Sequence, residues 1–287
     1  MGYHSIVLVK QVPDTANVTG EAMKEDGTVN RAALEAIFNP EDLHALEAAL
    51  EMKDRFAGTV TVVTMGPPKA ADVLRECLFR GADRAILLTD RRAAGSDTLA
   101  TSYILAQAVK TIGNYDFVFC GRQAIDGDTA QVGPQCAEKL NIPQVTYLEE
   151  IIDVQGKTAE LRRNVGNGWE IVRAKLPVLV TVVETANEPR PFAAKRVMRN
   201  KHKRIPAELA ADSPEMTAAQ ANGDLLEQWS LDDIGADFDR CGFAGSPTKV
   251  HRIQSIILKK EGFTEIAPTE EGIRSLIHEL VTDRTLG

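Results

Sequence analysis

Residues 117–133 read FVFCGRQAIDGDTAQVG, and this stretch decides the fold class of the 287-residue chain. The apolar run Phe117–Cys120 predicts a buried strand. A polar loop with two glycines follows, and a helix is predicted to begin near Asp128 and to run through Leu140. A buried strand that leads through a loop into a helix is the repeating unit of a parallel α/β sheet.

The same unit recurs on the N-terminal side of this stretch. Apolar, β-branched runs predict strands at Ser5–Lys10, Thr59–Met65 and Arg84–Thr89. Apolar residues at helical spacing predict helices after Asn39, at Ala70–Phe79 and at Thr98–Ile112. Asn39 is expected to be the N-cap of its helix, with Pro40 at the first helical position. The alternation predicts an α/β fold with an open, mostly parallel sheet and flanking helices.

The pattern changes on the C-terminal side. Three segments joined by glycine-containing turns predict an antiparallel excursion, with strands at Tyr147–Val154, Thr158–Arg163 and Trp169–Lys175. The continuous apolar run Pro177–Glu184 then predicts a buried strand that returns to the main sheet.

Periodicity weakens after the returning strand, apart from an amphipathic helix predicted near Glu271–Val281. We therefore expect residues 1–187 to form a domain that binds a nucleotide cofactor. Residues 188–287 are expected to form an extended C-terminal arm that contacts a partner chain. Within this arm, Glu208–Asp237 has no assigned role.

Composition excludes several classes of protein. The formal net charge of −8 opposes nucleic-acid binding by the chain as a whole. No apolar run approaches the roughly 20 residues of a transmembrane helix, and no signal peptide is expected, so we predict a cytoplasmic location without membrane insertion. The four cysteines form no Cys-x-x-Cys pair, and the histidines form no ligand pattern. No metal site and no catalytic residues are therefore predicted.

Unusual residues lie at the ends of three of the predicted strands, at Lys10–Thr15, Thr64–Pro68 and Cys120–Gly133. In an open parallel sheet, ligands bind beyond the carboxyl ends of the strands, so these segments are expected to meet at one site.

The segment that follows Cys120 carries the features of a phosphate site. Its glycines let a ligand approach the main chain, and Arg122 supplies a permanent charge. Asp128 and Gln131 have the spacing of a capping box that opens a helix, whose N-terminus favours phosphate. These residues alone leave two interpretations open, a phosphate cradle or an ordinary strand–loop–helix connection. The loop matches neither a dinucleotide-binding nor a Walker-type glycine pattern.

Several segments, taken in order and spacing, resemble the β subunit of electron-transfer flavoprotein over essentially the full chain. They are Lys10–Thr15, Asn39-Pro40 with Asp42, Asp97–Thr101, Gly121–Gly133, Asn187–Arg190 and Gly245–Val250. The resemblance implies a heterodimer with an α subunit that holds one FAD, while this chain holds a second adenine nucleotide.

Two branches of that family differ in the second nucleotide. In the common aerobic branch it is a structural AMP, and in the electron-bifurcating branch it is an FAD that accepts hydride from NADH. Thr15 stands where the aerobic branch usually has an aromatic residue, and Val29-Asn30-Arg31 followed by Ile37–Pro40 resembles the bifurcating pattern. The resemblance thus favours FAD with NADH as electron donor or acceptor, and AMP is the alternative. An adenylyl-transfer enzyme or nucleotide sensor is a distant alternative, because its phosphate-loop and His-x-x-His motifs are missing.

The resemblance also assigns site residues. The adenosine and pyrophosphate surroundings are expected to include Asn39, Asp42, Met65, Gly66, Asp97 and Thr101. The loop Arg122–Gly133 is expected to hold phosphates, while Lys10–Thr15 and Arg31 face the isoalloxazine. Arg31 and Arg122 are the cations expected to tune the flavin potential. The complete predicted cofactor site is Lys10, Val12, Pro13, Asp14, Thr15, Arg31, Asn39, Asp42, Thr64, Met65, Gly66, Asp97, Thr98, Thr101, Cys120, Gly121, Arg122, Gln123, Ala124, Ile125, Asp126, Gly127, Asp128, Thr129, Ala130, Gln131, Val132 and Gly133.

A partner-docking segment is implied at Asn187–Lys201, where members of the family contact acyl-CoA dehydrogenases or quinone-linked oxidoreductases. The overlapping run Lys195–Arg204 is strongly basic and suits electrostatic steering of an acidic partner. The residues alone favour a solvated loop. No aromatic platform accompanies the basic run, which argues against nucleic acid as the partner.

Overall fold

The computed structural model describes residues 2–14, 34–248 and 265–282. Over these ranges the chain has an α/β fold with a nine-stranded, mostly parallel sheet, a two-stranded antiparallel ribbon and seven α-helices. The strands are β1 (Tyr3–Leu8), β2 (Gln11–Pro13), β3 (Ala36–Phe38), β4 (Gly58–Met65), β5 (Arg84–Leu88), β6 (Phe117–Gly121), β7 (Gln144–Gln155), β8 (Thr158–Asn164), β9 (Trp169–Lys175), β10 (Val178–Val182) and β11 (Glu227–Trp229). The helices are α1 (Pro40–Phe56), α2 (Ala71–Arg80), α3 (Thr98–Ile112), α4 (Val132–Leu140), α5 (Ala194–Asn200), α6 (Pro214–Asn222) and α7 (Glu270–Thr282).

The strand order of the large sheet is β11-β5-β4-β1-β6-β10-β7-β8-β9. Strand β1 pairs in parallel with β4 on one side and with β6 on the other. The chain thus builds outward from β1 through β4 and β5, and then crosses back to start the other half at β6. This reversal places a topological switch point between β1 and β6, where open α/β sheets form their ligand crevices.

Helices cover both faces of the central strands. Phe117 and Phe119 of β6 pack in the cluster that contains α1 and α2, while Val118 and Cys120 pack in the cluster that contains α3 and α4. Successive residues of a strand point to opposite faces, so a strand covered on both sides must be apolar at every position. This requirement explains the continuous apolar runs from which the central strands were predicted.

The antiparallel excursion is confirmed, since β7, β8 and β9 pair antiparallel in that order. The predicted return of the chain is also confirmed, because β10 inserts in parallel between β6 and β7.

The late helix predicted near Glu271–Val281 corresponds to α7. No helix of the described ranges is long and apolar enough to cross a bilayer.

The predicted start of α4 near Asp128 is wrong, because the helix begins at Val132. Asp128 and Ala130 have φ of 49° and 51°, in the left-handed region, and residues in that conformation interrupt a right-handed helix. The expected capping box is also wrong. The Asp128 carboxylate accepts a hydrogen bond from Gln123 Nε2 (2.9 Å), within the loop itself.

Part of the predicted arm enters the main sheet. Strand β11 pairs in parallel with β5 at the sheet edge, and Arg84 forms an ion pair with Glu227 of β11 (2.6 Å). The short helices α5 and α6 precede this strand. The division of the chain at residue 188 stays a prediction.

Candidate functional site

A cavity of about 430 Å³ lies beyond the carboxyl ends of β1, β4 and β6, at the topological switch point. This volume is within the range of about 300 to 1,000 Å³ that is usual for small-molecule sites. The loop between β6 and α4 forms one wall, and the turn that leads into α3 forms another.

Most of the predicted site residues line this cavity. They are Lys10, Asp42, Met65, Asp97, Thr98, Thr101, Cys120, Gly121, Arg122, Gln123, Ala124, Asp126, Gly127, Thr129, Ala130, Gln131, Val132 and Gly133. The described residues that were predicted but lie outside this lining are Val12, Pro13, Asp14, Asn39, Thr64, Gly66, Ile125 and Asp128. Thr15 and Arg31 lie outside the described residues.

Sequence reasoning missed six lining residues, which are Leu8, Val9, Ala93, Gly95, Ser96 and Leu105. Leu8 and Val9 carry no polar signal, and they line the cavity only because they end the central strand. Ser96 immediately precedes Asp97, whose carboxylate caps α3 by accepting a hydrogen bond from Ala100 N (3.0 Å). The position of Ser96, a polar residue directly before a capping aspartate, was the one sequence feature that could have indicated a lining residue on this wall.

The first turn of α1 holds the loop that follows β6. Asn39, which is fully buried, donates from Nδ2 to Gln123 O (2.9 Å) and accepts from Ile125 N at Oδ1 (3.2 Å). Asn39 is the N-cap residue of α1, as predicted, and Pro40 is the first helical residue, but the Asn39 side chain makes no capping hydrogen bond to the helix. The amide instead satisfies two main-chain groups of the loop and fixes its conformation.

Glu41 is a further positioning residue that the sequence did not reveal. Arg122 Nη2 donates to Glu41 Oε1 (2.6 Å), and Gln123 N donates to Glu41 Oε2 (3.0 Å). The hydrogen bond to Glu41 raises the pKa of Arg122 above its usual value, so the guanidinium stays charged. Its charge is nevertheless balanced by a carboxylate before any ligand is present.

Asp42 ties the two central strands together beside the cavity. Its Oδ2 accepts from Lys10 N (2.9 Å) after β1, and its Oδ1 accepts from Gly121 N (3.0 Å) at the end of β6. Burial raises the pKa of Asp42 to about 7, against the opposing effect of hydrogen bonds from Asn39, Gly121 and Lys10. The carboxyl group is therefore partly protonated at neutral pH.

Gly121 is required by the close approach of α1. A Cβ atom at this position would lie 2.6 Å from the carbonyl carbon of Glu41 and 2.7 Å from Asp42 N. These distances are far inside van der Waals contact, so any side chain would displace α1 from the end of β6. Glycine at position 121 thus permits the hydrogen bonds that Glu41 and Asp42 make to the loop.

The cavity lining contains two cations, and each is paired within the described chain. Lys10 Nζ lies 2.7 and 2.8 Å from the carboxylate oxygens of Asp126, and Arg122 pairs with Glu41. The lining also contains the carboxyl groups of Asp42, Asp97 and Asp126, and neutral donors such as the hydroxyl groups of Thr101 and Thr129.

The N-termini of α3 and α4 both meet the cavity. Thr98 Oγ1 donates to Gln131 Oε1 (2.8 Å) and links the two helix starts. The first N–H groups of a helix form the positive end of its dipole, which favours an anion. At α3 the Asp97 carboxylate already caps this end, whereas no described side chain caps the start of α4. Together with the glycine-containing loop, this donor set suits the phosphates of a nucleotide. The described residues contain no group of three or more metal-ligating side chains.

A sequence model of the electron transfer flavoprotein domain matches residues 26–217. The chain belongs to the electron transfer flavoprotein family. It is 42% identical over 275 residues to the electron transfer flavoprotein subunit beta of Clostridium acetobutylicum, with 96% of each chain covered. It is 41% identical over 281 residues to the protein FixA of Bradyrhizobium diazoefficiens, which covers 96% of this chain and 90% of that one. It is 43% identical over 248 residues to the caffeyl-CoA reductase-Etf complex subunit CarD of Acetobacterium woodii, with 86% of each covered. The predicted relationship to the β subunit of this family is confirmed.

Proposed function

We propose that this electron transfer flavoprotein chain is the β subunit of a heterodimer and that it binds FAD in the cavity between β1 and β6. The observation that carries the proposal is the meeting of two helix N-termini and the glycine-containing loop at the switch point. These three elements offer main-chain donors to a diphosphate, and the family to which the chain belongs is one of flavoproteins.

The residues of the cavity fit an adenine nucleotide. Threonine hydroxyls and the uncapped N–H groups at the start of α4 are suitable phosphate donors. AMP and FAD share the adenylate group, so both satisfy this donor set. In the sequence, the small Thr15 stands where the aerobic branch usually has an aromatic residue, and this supports FAD over AMP.

The chemistry that FAD supplies is the acceptance of a hydride from NADH and the release of electrons singly or in pairs. We propose electron bifurcation as the use of that chemistry. The name of the relative from Acetobacterium woodii supports it, because it places that subunit in a complex with a CoA-ester reductase. Arg122, whose charge is kept by Glu41, is the described cation that we assign to adjusting the flavin potential.

The partners that we propose are an α subunit of the same family and an acyl-CoA dehydrogenase or quinone-linked oxidoreductase. The segment Asn187–Lys201 is the proposed docking site for the latter. It is held on α1, since Arg190 forms an ion pair with Glu47 (2.9 Å), while Met198 at 64% exposure and Phe192 at 45% face solvent. Exposed apolar side chains among basic residues suit a transient, electrostatically steered contact.

The test is the content of FAD and AMP per heterodimer after co-expression with the cognate α subunit and denaturing extraction. We expect two FAD and no AMP, and we expect NADH to reduce flavin in the complex under anaerobic conditions. One FAD with one AMP would contradict the flavin in this chain and leave a carrier subunit with a structural nucleotide. One FAD with no second nucleotide would contradict the assignment of the cavity itself.

A further inference from the structure

Residues 237–248 form a segment that we call the C-terminal strap, and it lies against the cavity wall that leads into α3. The wall consists of the turn Ala93–Thr98, most of which lines the cavity. The strap belongs to the predicted arm and is separated from this turn by about 140 residues of sequence or more. Gly245–Val250 is one of the segments that carry the family resemblance, but no cofactor-site residue was predicted in the arm.

Asp97 joins the strap to the start of α3. Its main-chain N–H donates to Ser246 Oγ (2.8 Å), and its Oδ2 accepts from Thr248 N (3.0 Å), while Oδ1 caps α3. Burial acts to raise the pKa of Asp97, but hydrogen bonds from the N–H groups of Ala100 and Thr248 outweigh this effect and lower the pKa. Two of the contacts that fix this cavity residue therefore come from the strap.

Ser246 is the buried centre of the connection, at 4% exposure. Its hydroxyl lies 2.7 Å from Gly242 O and 3.2 Å from Gly95 O, and either carbonyl can accept its single proton. Gly242 N in turn donates to Ser96 Oγ (3.1 Å). The Ser246 hydroxyl thus contacts Gly95 and Asp97 of the cavity wall, and the main chain of Gly242 contacts Ser96 between them.

The other end of the strap contacts Tyr103, in the second turn of α3. Asp237 N donates to the hydroxyl of Tyr103 (2.9 Å), and the Arg240 guanidinium lies 3.9 Å from the centroid of the same ring. At Gly242, with φ of 55°, an added Cβ atom would lie 2.1 Å from Arg92 O. The strap is therefore closely packed on the turn before α3.

We propose that Ser246 is a positioning residue for the nucleotide cavity, acting through Asp97 on the start of α3. Ser246 is not among the described residues that line the cavity, so it acts without touching the ligand. Its hydroxyl holds the main chain of Asp97 and so fixes the start of α3, where Asp97, Thr98 and Thr101 line the cavity. The inference rests on the proposed function, because it requires a nucleotide in the cavity.

The sharpest test compares Ser246→Thr with Ser246→Val, which have the same shape and differ only in the hydroxyl group. Nucleotide-stripped heterodimer is titrated with AMP and with FAD as probes, and the melting temperature of each variant is recorded. Loss of a buried hydrogen bond predicts that Ser246→Val binds both probes about tenfold more weakly than Ser246→Thr. Ser213→Ala, which removes a hydroxyl that caps α6 outside the cavity lining, should leave both affinities unchanged.

Equal affinities of the Ser246→Thr and Ser246→Val variants would overturn the inference while leaving the proposed function intact. Failure of the wild-type heterodimer to bind either probe would overturn the proposed function, and the inference with it. If neither variant at position 246 folds, Thr248→Pro supplies the second test, because it removes the N–H donor to Asp97 Oδ2 at an exposed position. We expect weaker binding of both probes there, and unchanged binding would count against the strap.

Discussion

Replacing Asp42 by asparagine tests whether a buried carboxyl group at the switch point holds a proton near neutral pH. Asp42 is 7% exposed, and its two oxygens accept hydrogen bonds from the main chain at Lys10 and Gly121. Burial disfavours the charged form and raises the pKa from 3.8 to about 7. Asparagine has nearly the same size, and its side chain does not titrate in this pH range.

The sign and size of the effect follow from proton linkage. Between pH 3.8 and about 7 the folded state holds a proton that the unfolded state has released, so the free energy of unfolding falls as pH rises. Each unit of pKa shift corresponds to about 1.4 kcal/mol, so the full penalty approaches about 4 kcal/mol above pH 7. Between pH 5 and pH 8 alone, the expected loss is about 2 to 3 kcal/mol.

The assay is urea denaturation of wild type and Asp42→Asn at pH 5, 6, 7 and 8, at equal protein concentrations. Wild type should lose about 2 to 3 kcal/mol relative to the variant across this range. The constant cost of the altered hydrogen bonds in the variant cancels in this comparison. Parallel pH profiles for the two proteins would refute the argument.

Asp90→Asn is the matched control for this experiment. The hydrogen bond from Arg92 lowers the pKa of Asp90 to about 2, against the opposing effect of burial. A lowered carboxyl pKa contributes stability that is present above pH 3.8 and is lost as pH falls through about 2. The difference between Asp90→Asn and wild type should therefore be flat from pH 5 to pH 8.

Two further substitutions probe the contacts of α1 with the loop. Gly121→Ala places a Cβ atom 2.6 Å from the main chain of Glu41 and should lower the free energy of unfolding by about 1 to 3 kcal/mol in urea denaturation. Gly127→Ala, in the same loop with nothing within 4 Å of its Cβ, should change it by less than about 0.5 kcal/mol, and equal losses would contradict the steric argument. Glu41→Gln leaves Arg122 without its counter-charge and should strengthen AMP binding severalfold at low salt in calorimetric titration. Glu47→Gln removes a carboxylate from the same helix outside the cavity lining and should leave the affinity unchanged, whereas weaker binding by Glu41→Gln would show that loop positioning outweighs the charge.

The sequence was most informative where burial leaves few choices of residue. Central strands are covered on both faces, so their runs are apolar throughout, and the predicted helix Thr98–Ile112 has the same bounds in the structure. Prediction failed for the short ribbon of β2 and β3, where three-residue strands carry too little periodicity. It also failed at the start of α4, because the left-handed conformations of Asp128 and Ala130 depend on contacts within the loop.

The cavity could be located from sequence because the ends of parallel strands converge, so unusual residues after separate strands meet in space. Its electrostatics could not, because charge balance depends on pairs that are distant in the chain. Arg122 and Glu41 are separated by 81 positions, and Lys10 and Asp126 by 116. From the sequence alone, Arg122 and Lys10 would be interpreted as two cations available to bind phosphate. In the fold each already has a carboxylate partner, so among the described residues the nucleotide binding that we propose relies on main-chain and hydroxyl donors.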